Sequence, residues 1–280
     1  MLLSEAFACY RRDVIVYRNQ ARKTEENHNV TAKTFIRFVG DIEVSQLTFE
    51  QIRSFTEHLR CKGRSENTIR GYIIKIRNVI GYLNLLGIET IKKDLISVPK
   101  RVETTPTVID ASLVDKLIKS TSMTRNKAII ALFYSSGIRV SELCALNISD
   151  IREDTFTVNG KGNKLRPCFI DKRAKYWIEV YLSERTDNHE ALFLTQTGER
   201  MTSGRVQEIF KYMRKAAKIK QPIHPHTMRH SYAVNLLKNG CHLFTLSKLM
   251  GHSSVQTTQA YLQLEDPELK EAYQKYHTIL

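Results

Sequence analysis

The chain of 280 residues contains no apolar run long enough to cross a bilayer, for which roughly 18 or more residues are needed. Its opening, Met1-Leu2-Leu3-Ser4-Glu5-Ala6-Phe7, has no basic stretch ahead of the apolar one and meets Arg11 and Arg12 early. It does not read as a signal peptide, so a cytoplasmic protein is expected, nucleoid-associated in a prokaryote. Cysteines are few: Cys9, Cys61, Cys144, Cys168 and Cys241. Their number is odd and none stand in C-x-x-C spacing, which argues against a disulfide framework and a zinc site. Internal repeats and low-complexity tracts are missing too. Acidic residues fall short of basic ones, 29 against 43, for a net charge of +14. An excess of this size calls for a polyanionic partner, nucleic acid first and an anionic membrane second. Without an apolar span, nucleic acid is the stronger reading. Hydrophobic content of 42% is enough to build cores, so the chain is not a disordered one.

The length suggests two domains or one large one. Residues 1–97 read as a helical bundle. Phe7, Tyr10, Val14 and Tyr17 recur at helical spacing, and Thr31 to Val39 forms a short apolar segment. Thr48-Phe49-Glu50-Gln51 is a capping-box pattern opening a helix with Ile52, Phe55 and Leu59 inside. Ser65 or Asn67 caps the next, whose stripe runs from Ile69 to Leu83. Residues 98–106 carry two prolines and no periodicity and read as a linker. Residues 107–280 read as mostly helical, with strands at Thr155–Val158 and Leu165–Ile170 around a turn at Gly160–Lys164. Helices resume at Asp171, Ser203, His226, Leu243 and Pro267. Residues 1–104 hold 18 Lys and Arg against 12 Asp and Glu, and the rest 25 against 17. Both halves are basic. That fits a clamp on one duplex and equally two independent basic domains.

Three polar clusters stand out. Gly137-Ile138-Arg139-Val140-Ser141-Glu142-Leu143 places an arginine at a helix junction. Pro225-His226-Thr227-Met228-Arg229-His230 sets His226 and Arg229 on one helical face. His226 and His230 are four apart, but Thr227 stands where a zincin has Glu, so no metal site is expected. Gly251-His252 leads to Tyr261. Lys161 sits in a glycine-flanked turn that lacks the P-loop pattern, so no nucleotide site is expected. Arginine suits a phosphodiester because its planar fork donates parallel hydrogen bonds and stays protonated. Tyrosine is a weak nucleophile at its ordinary pKa near 10, and nearby cations favour its phenolate. Taken singly, each residue has an ordinary reading: a surface arginine, a helix-start histidine, a hairpin-tip lysine, a packing tyrosine.

Together, in this order and spacing, the clusters resemble the motif set of the tyrosine recombinases, the integrase family. The strong motifs cover about residues 130–261; the N-terminal helices resemble the family's core-binding domain in pattern only. The resemblance implies a mainly α fold with a small β-sheet: a helical core DNA-binding domain over 1–97 and an α+β catalytic domain over 107–280. It implies that Tyr261 attacks the scissile phosphate to give a 3′-phosphotyrosyl link and that Arg139 and Arg229 bind the non-bridging oxygens. Lys161 protonates the leaving 5′-oxygen, with Lys164 a competitor for that role. His226 and His252 bond the phosphate, and Glu142 orients its neighbours. The segment Leu165-Arg166-Pro167-Cys168 departs from the family pattern of a basic residue, an apolar one, then Val-Pro.

The function so implied is site-specific DNA recombination through a Holliday junction, with no ATP, cofactor or metal. The partners are double-stranded DNA carrying paired sites and three further copies in a homotetramer, with no membrane. Alternatives are type IB topoisomerase-like relaxation and a non-cleaving DNA-binding protein; every motif position is occupied, which disfavours the second. After Tyr261, Asp266-Pro267-Glu268 reads as a helix start, with Leu269, Ala272, Tyr273 and Tyr276 on one face. That face either packs on its own domain or serves assembly, as the family's exchanged tails do.

Overall fold

The computed structural model describes residues 1–17, 22–102, 107–160 and 165–251. Lys161, Lys164, His252, Tyr261 and the helix expected at Pro267 lie outside the described residues. The chain divides into two units, Met1–Thr104 and Thr105–Leu280, each with a hydrophobic core of its own.

The first unit holds four α-helices among the described residues. Helix α1 (Leu3–Tyr10) widens into a π-type stretch over Arg11–Val16; α2 spans Arg22–Val39, α3 Phe49–Cys61 and α4 Glu66–Leu85. The capping box at Thr48 forms as its residues suggest. The Thr48 hydroxyl accepts from the Gln51 N–H at 3.2 Å, and the Gln51 amide oxygen accepts from the Thr48 N–H at 2.8 Å. Of the two cap candidates for α4, Ser65 serves, accepting from the Thr68 N–H. Asn67 instead uses its side-chain amide both ways on Val102, at 2.8 and 3.0 Å. Arg70 donates to the Pro99 carbonyl at 2.6 Å. Residues 98–102 therefore run along α4, held by polar contacts that composition does not reveal.

Helix α2 is longer than the segment from Thr31 to Val39 that apolar spacing marks. The buried position of its first half is His28, 8% exposed, and the marked segment itself opens on Thr31, 1% exposed. Both are polar, so the helical face continues without a hydrophobic signal. The His28 ring stacks on Tyr10 at 5.4 Å, and the Thr31 hydroxyl donates to the Asn27 carbonyl at 2.9 Å.

In the second unit α6 (Thr124–Ser136) is the central element. Every residue from Ala128 to Phe133 is buried, the mark of a helix covered on all sides. It packs against α5 (Ala111–Lys119), α8 (Lys172–Ser183) and α10 (Pro225–Lys238). Between α7 (Val140–Ala145) and α8 lies an antiparallel sheet in the order β1-β2-β3, formed by Ile151–Arg152, Thr155–Asn159 and Leu165–Phe169. The two-residue β1 is too short to leave an alternating pattern. Strand β2 pairs with β3 so that Phe156 faces Cys168 and Val158 faces Arg166. These four side chains are buried. Helices α9 (Ser203–Ala216) and α11 (Leu243–Met250) complete the described α-helices of this unit. The Ser231 hydroxyl fixes α10, accepting from the Ile109 N–H at 2.8 Å and donating to the Thr227 carbonyl at 2.9 Å. No helix among the described residues is long and apolar enough to cross a membrane.

Phe55 is fully buried, its ring 5.1 Å from Phe35 and 6.0 Å from Tyr72. Phe55→Ala should destabilise the first unit by about 3–5 kcal/mol. Hydrogen exchange should then show protection lost in α3 and α4 and retained in α6 and α10; equal losses in both units would contradict separate cores.

Candidate active site

Helix α6 stops at Gly137, which takes the left-handed conformation with φ of 59°. A side chain is excluded there twice, by the backbone and because a Cβ would overlap the Tyr232 ring. The chain turns through buried Ile138 into α7, whose N-cap is Arg139. Glu142, three residues on, holds both ends of that arginine. One carboxylate oxygen accepts from the Arg139 backbone N–H at 2.8 Å and the other from its Nη1 at 2.7 Å. A helix-start contact thus becomes a device that aims a guanidinium.

Helix α10 supplies the second group. His224 is its cap: Nδ1 accepts from the Thr227 N–H at 3.2 Å, followed by Pro225 at the first position. His226 lies in the first turn and is exposed, while Arg229 lies one turn deeper and is only 5% exposed. Arg229 donates from Nη1 to the Gly137 carbonyl at 2.6 Å and from Nη2 to the Met250 carbonyl. The end of α6 and the end of α11 are therefore tied to one side chain.

The two motifs meet at the carboxyl end of α11, where Gly251 adopts a left-handed cap with φ of 60°. A helix leaves its last carbonyls without intrahelical partners, and here arginines take three in succession. Arg166 Nη1 donates to Leu249 O at 2.7 Å, Arg229 Nη2 to Met250 O, and Arg139 Nη2 to Gly251 O at 3.1 Å. The carbonyl dipoles there carry partial negative charge, which favours the cations. Arg139, Glu142 and Arg229, expected from the sequence, are thus brought together.

Arg166 was missing from the candidates. Its Nη2 donates to Glu142 Oε2 at 2.7 Å, and it is 7% exposed. One signal was available: Arg166 and Cys168 share the inward face of β3, and a charge on that face needs a buried partner.

Burial works against the charge on Glu142, but the Arg139 backbone N–H and the guanidiniums of Arg166 and Arg139 outweigh it and hold the carboxyl below its usual range. Partial loss of water lowers the pKa of His226, helped by the positive charges of Arg229 and Arg139. His224 and His230 shift the same way, chiefly by loss of water and then by neighbouring charge. This end of α10 therefore gathers cations beside a neutral imidazole and helix N–H groups, an arrangement suited to an anion. Among the described residues the carboxylate bonded into this cluster is that of Glu142, which faces Arg139 and Arg166.

The sequence profile of the phage integrase family matches residues 107–268, and that of the phage integrase SAM-like domain matches residues 10–82. The chain belongs to the phage integrase family, the tyrosine recombinases. It is 36% identical over 240 residues to tyrosine recombinase XerD of Oceanobacillus iheyensis, covering 81% of each chain. It is 33% identical over 280 residues to tyrosine recombinase XerC of Thermodesulfovibrio yellowstonii, covering 92% of this chain and 93% of the other. In fold it resembles the Tn1549 transposon integrase in complex with transposon right end DNA, with a TM-score of 0.79 at 17% identity over 99% of both chains. This recombinase thus has the expected architecture, an N-terminal SAM-like domain and a catalytic domain.

All three histidines of the α10 start have folded pKa values below the ordinary 6.5. A lowered folded value means that the unfolded chain takes up protons first as pH falls. Their contribution is therefore full above about pH 6.5 and is lost as pH drops from there through the folded values. The thermal midpoint should fall between pH 7.5 and 5.5, a window above carboxylate titration, and less so in the His226→Gln/His230→Gln chain. A midpoint that is flat over that window would contradict the assignment.

Proposed function

We propose that this recombinase cleaves and rejoins DNA at paired specific sites through a 3′-phosphotyrosyl intermediate and a Holliday junction, using neither ATP nor metal. The observation that carries the reading is the junction at the end of α11. Arg139 and Arg229 come from motifs far apart in the chain and converge on the carbonyls of Met250 and Gly251, immediately before His252 in the sequence. A phosphate bound there meets two guanidiniums next to the segment that leads to Tyr261.

In this mechanism Tyr261 attacks phosphorus and the 5′-oxygen leaves. Arg139 and Arg229 stabilise charge growing on the non-bridging oxygens, the role a metal plays in other phosphoryl transfers. Lys161 donates the proton to the leaving oxygen. His226 accepts the phenolic proton, and its lowered pKa leaves it unprotonated at neutral pH, as an acceptor must be. His252 bonds the phosphate, and Glu142 orients Arg139. The covalent link conserves the energy of the broken bond, so rejoining needs no nucleotide. Two duplexes and four active sites imply a homotetramer on DNA, with the segment after Glu265 docking between copies. The domains follow: residues 1–97 bind the duplex, 98–106 link, and 107–280 carry the chemistry.

On a suicide substrate nicked near the scissile position, the wild-type chain should trap DNA covalently, in excess EDTA as well as without it. Tyr261→Phe should bind the same DNA with unchanged affinity and trap none. Adduct on the Phe variant would move the nucleophile to another tyrosine. Relaxation of a plasmid that carries no paired sites would favour the topoisomerase reading.

Lys161→Ala should slow cleavage, and a 5′-bridging phosphorothiolate should restore it, because sulfur leaves without a proton. If Lys164→Ala shows the rescue and Lys161→Ala does not, the general acid is Lys164.

A further inference from the structure

The third arginine at the α11 terminus has no part in that mechanism. Arg166 lies on β3, opposite Val158 of β2, and points into the protein with its side chain 8% exposed, against 29% for Arg139. Its two terminal nitrogens therefore donate within the protein, while Nε is buried without a hydrogen-bond partner. Two of its nitrogens are committed in different directions, Nη2 to Glu142 Oε2 and Nη1 to Leu249 O, both at 2.7 Å. The same Glu142 oxygen accepts the Arg139 backbone N–H, and its partner oxygen accepts Arg139 Nη1. Arg166 thus touches, through one carboxylate, the arginine aimed at the phosphate. Through one carbonyl it holds the helix end from which the chain continues to His252.

The backbone is shaped around this side chain. A Cβ on Gly251 would lie 2.6 Å from Arg166 Cδ and 2.7 Å from its Nε. The α11 terminus can therefore sit on the guanidinium stem only because residue 251 has no side chain. A lysine in place of Arg166 would keep the charge but not the planar fork that bonds two acceptors from two nitrogens.

We infer that Arg166 is a positioning residue for DNA cleavage, fixing Glu142 and the carboxyl end of α11 in the register that Arg139 and Arg229 require. The inference rests on the cleavage chemistry proposed above. Arg166 also ties β3 to α11, so a single buried side chain bonds the strand after Lys161 in sequence to the helix before His252.

The test uses the full chain on the suicide substrate, with single-turnover cleavage at saturating DNA and DNA affinity measured separately. Arg166→Ala should cut cleavage by about a hundredfold, the scale set by a misplacement near 1 Å, while affinity stays within about threefold. Methylguanidinium should restore part of the rate to Arg166→Ala and none to Tyr261→Phe. Arg166→Lys should remain slow despite its charge. Gly251→Ala should show the same split between cleavage and affinity. The loss from Gly251→Ala should be smaller in the Arg166→Ala background than in the wild type, since contacting residues couple. Should Arg166→Ala not fold, Arg166→Lys and Gly251→Ala decide by themselves. Folded variants that cleave like wild type overturn the inference, as does affinity that falls in step with cleavage, or full recovery by lysine. A wild-type chain that traps no DNA sinks the cleavage reading and this inference with it; wild-type adduct with indifferent variants sinks only the role of Arg166.

Discussion

A helix that ends inside a protein presents carbonyl oxygens that water cannot reach, and each needs a donor. At the end of α11 three arginines, from β3, α10 and the start of α7, meet that need on three consecutive residues. The arrangement satisfies the helix and assembles the cations in one act. Removing the helix terminus would leave the guanidiniums with fewer acceptors, and removing an arginine would leave a carbonyl bare. Arg166 and Arg229 are buried and Arg139 is partly so, which makes the loss of a buried arginine the more expensive. Gly137 matters for the same reason, because its carbonyl takes the other nitrogen of Arg229.

Around this junction the second unit is built for stiffness. The apolar helix α6 occupies the middle of the core and delivers Gly137 and Arg139 from its carboxyl end. Helix α10 lies against it and is fixed by Ser231. A site carried by packed helices holds its geometry better than one carried by loops alone. The first unit follows different rules. Its aromatic core, with Phe7, Phe35 and Phe55 in contact, serves to hold four helices together.

Much of this was legible from the residues. The capping box at Thr48, the stripe on α4, the stop at Gly137 and the strand pair around Gly160 all follow from spacing and turn chemistry. That Arg139 and Arg229 share one neighbourhood was expected only from the resemblance of the whole motif set, and they meet on the adjacent carbonyls of Gly251 and Met250. What escaped was polar and buried. Helix α2 hides half its length behind His28 and Thr31, whose inward faces carry no apolar signal. Arg166 looks like one more basic residue in a basic chain, and only its inward register on β3 sets it apart. The cap of α10 is His224, a residue not favoured at that position. In each case the contact partner is distant in sequence or atypical in type, so no local pattern announces it. Lys161, His252 and Tyr261, proposed for the same site, lie outside the described residues, and their assignment stands on motif order.

Among the described residues the bonded cluster sets the guanidiniums of Arg139, Arg166 and Arg229 beside one carboxylate, that of Glu142. Carbonyl dipoles offset part of the mutual repulsion, yet they carry only fractional charge. The folded unit therefore holds a standing electrostatic tension that an anion would relax. Binding free energy and folding free energy are linked through that tension: any ligand that prefers the native state stabilises it by mass action. An anion seated at this charge imbalance would add to the stability of the fold.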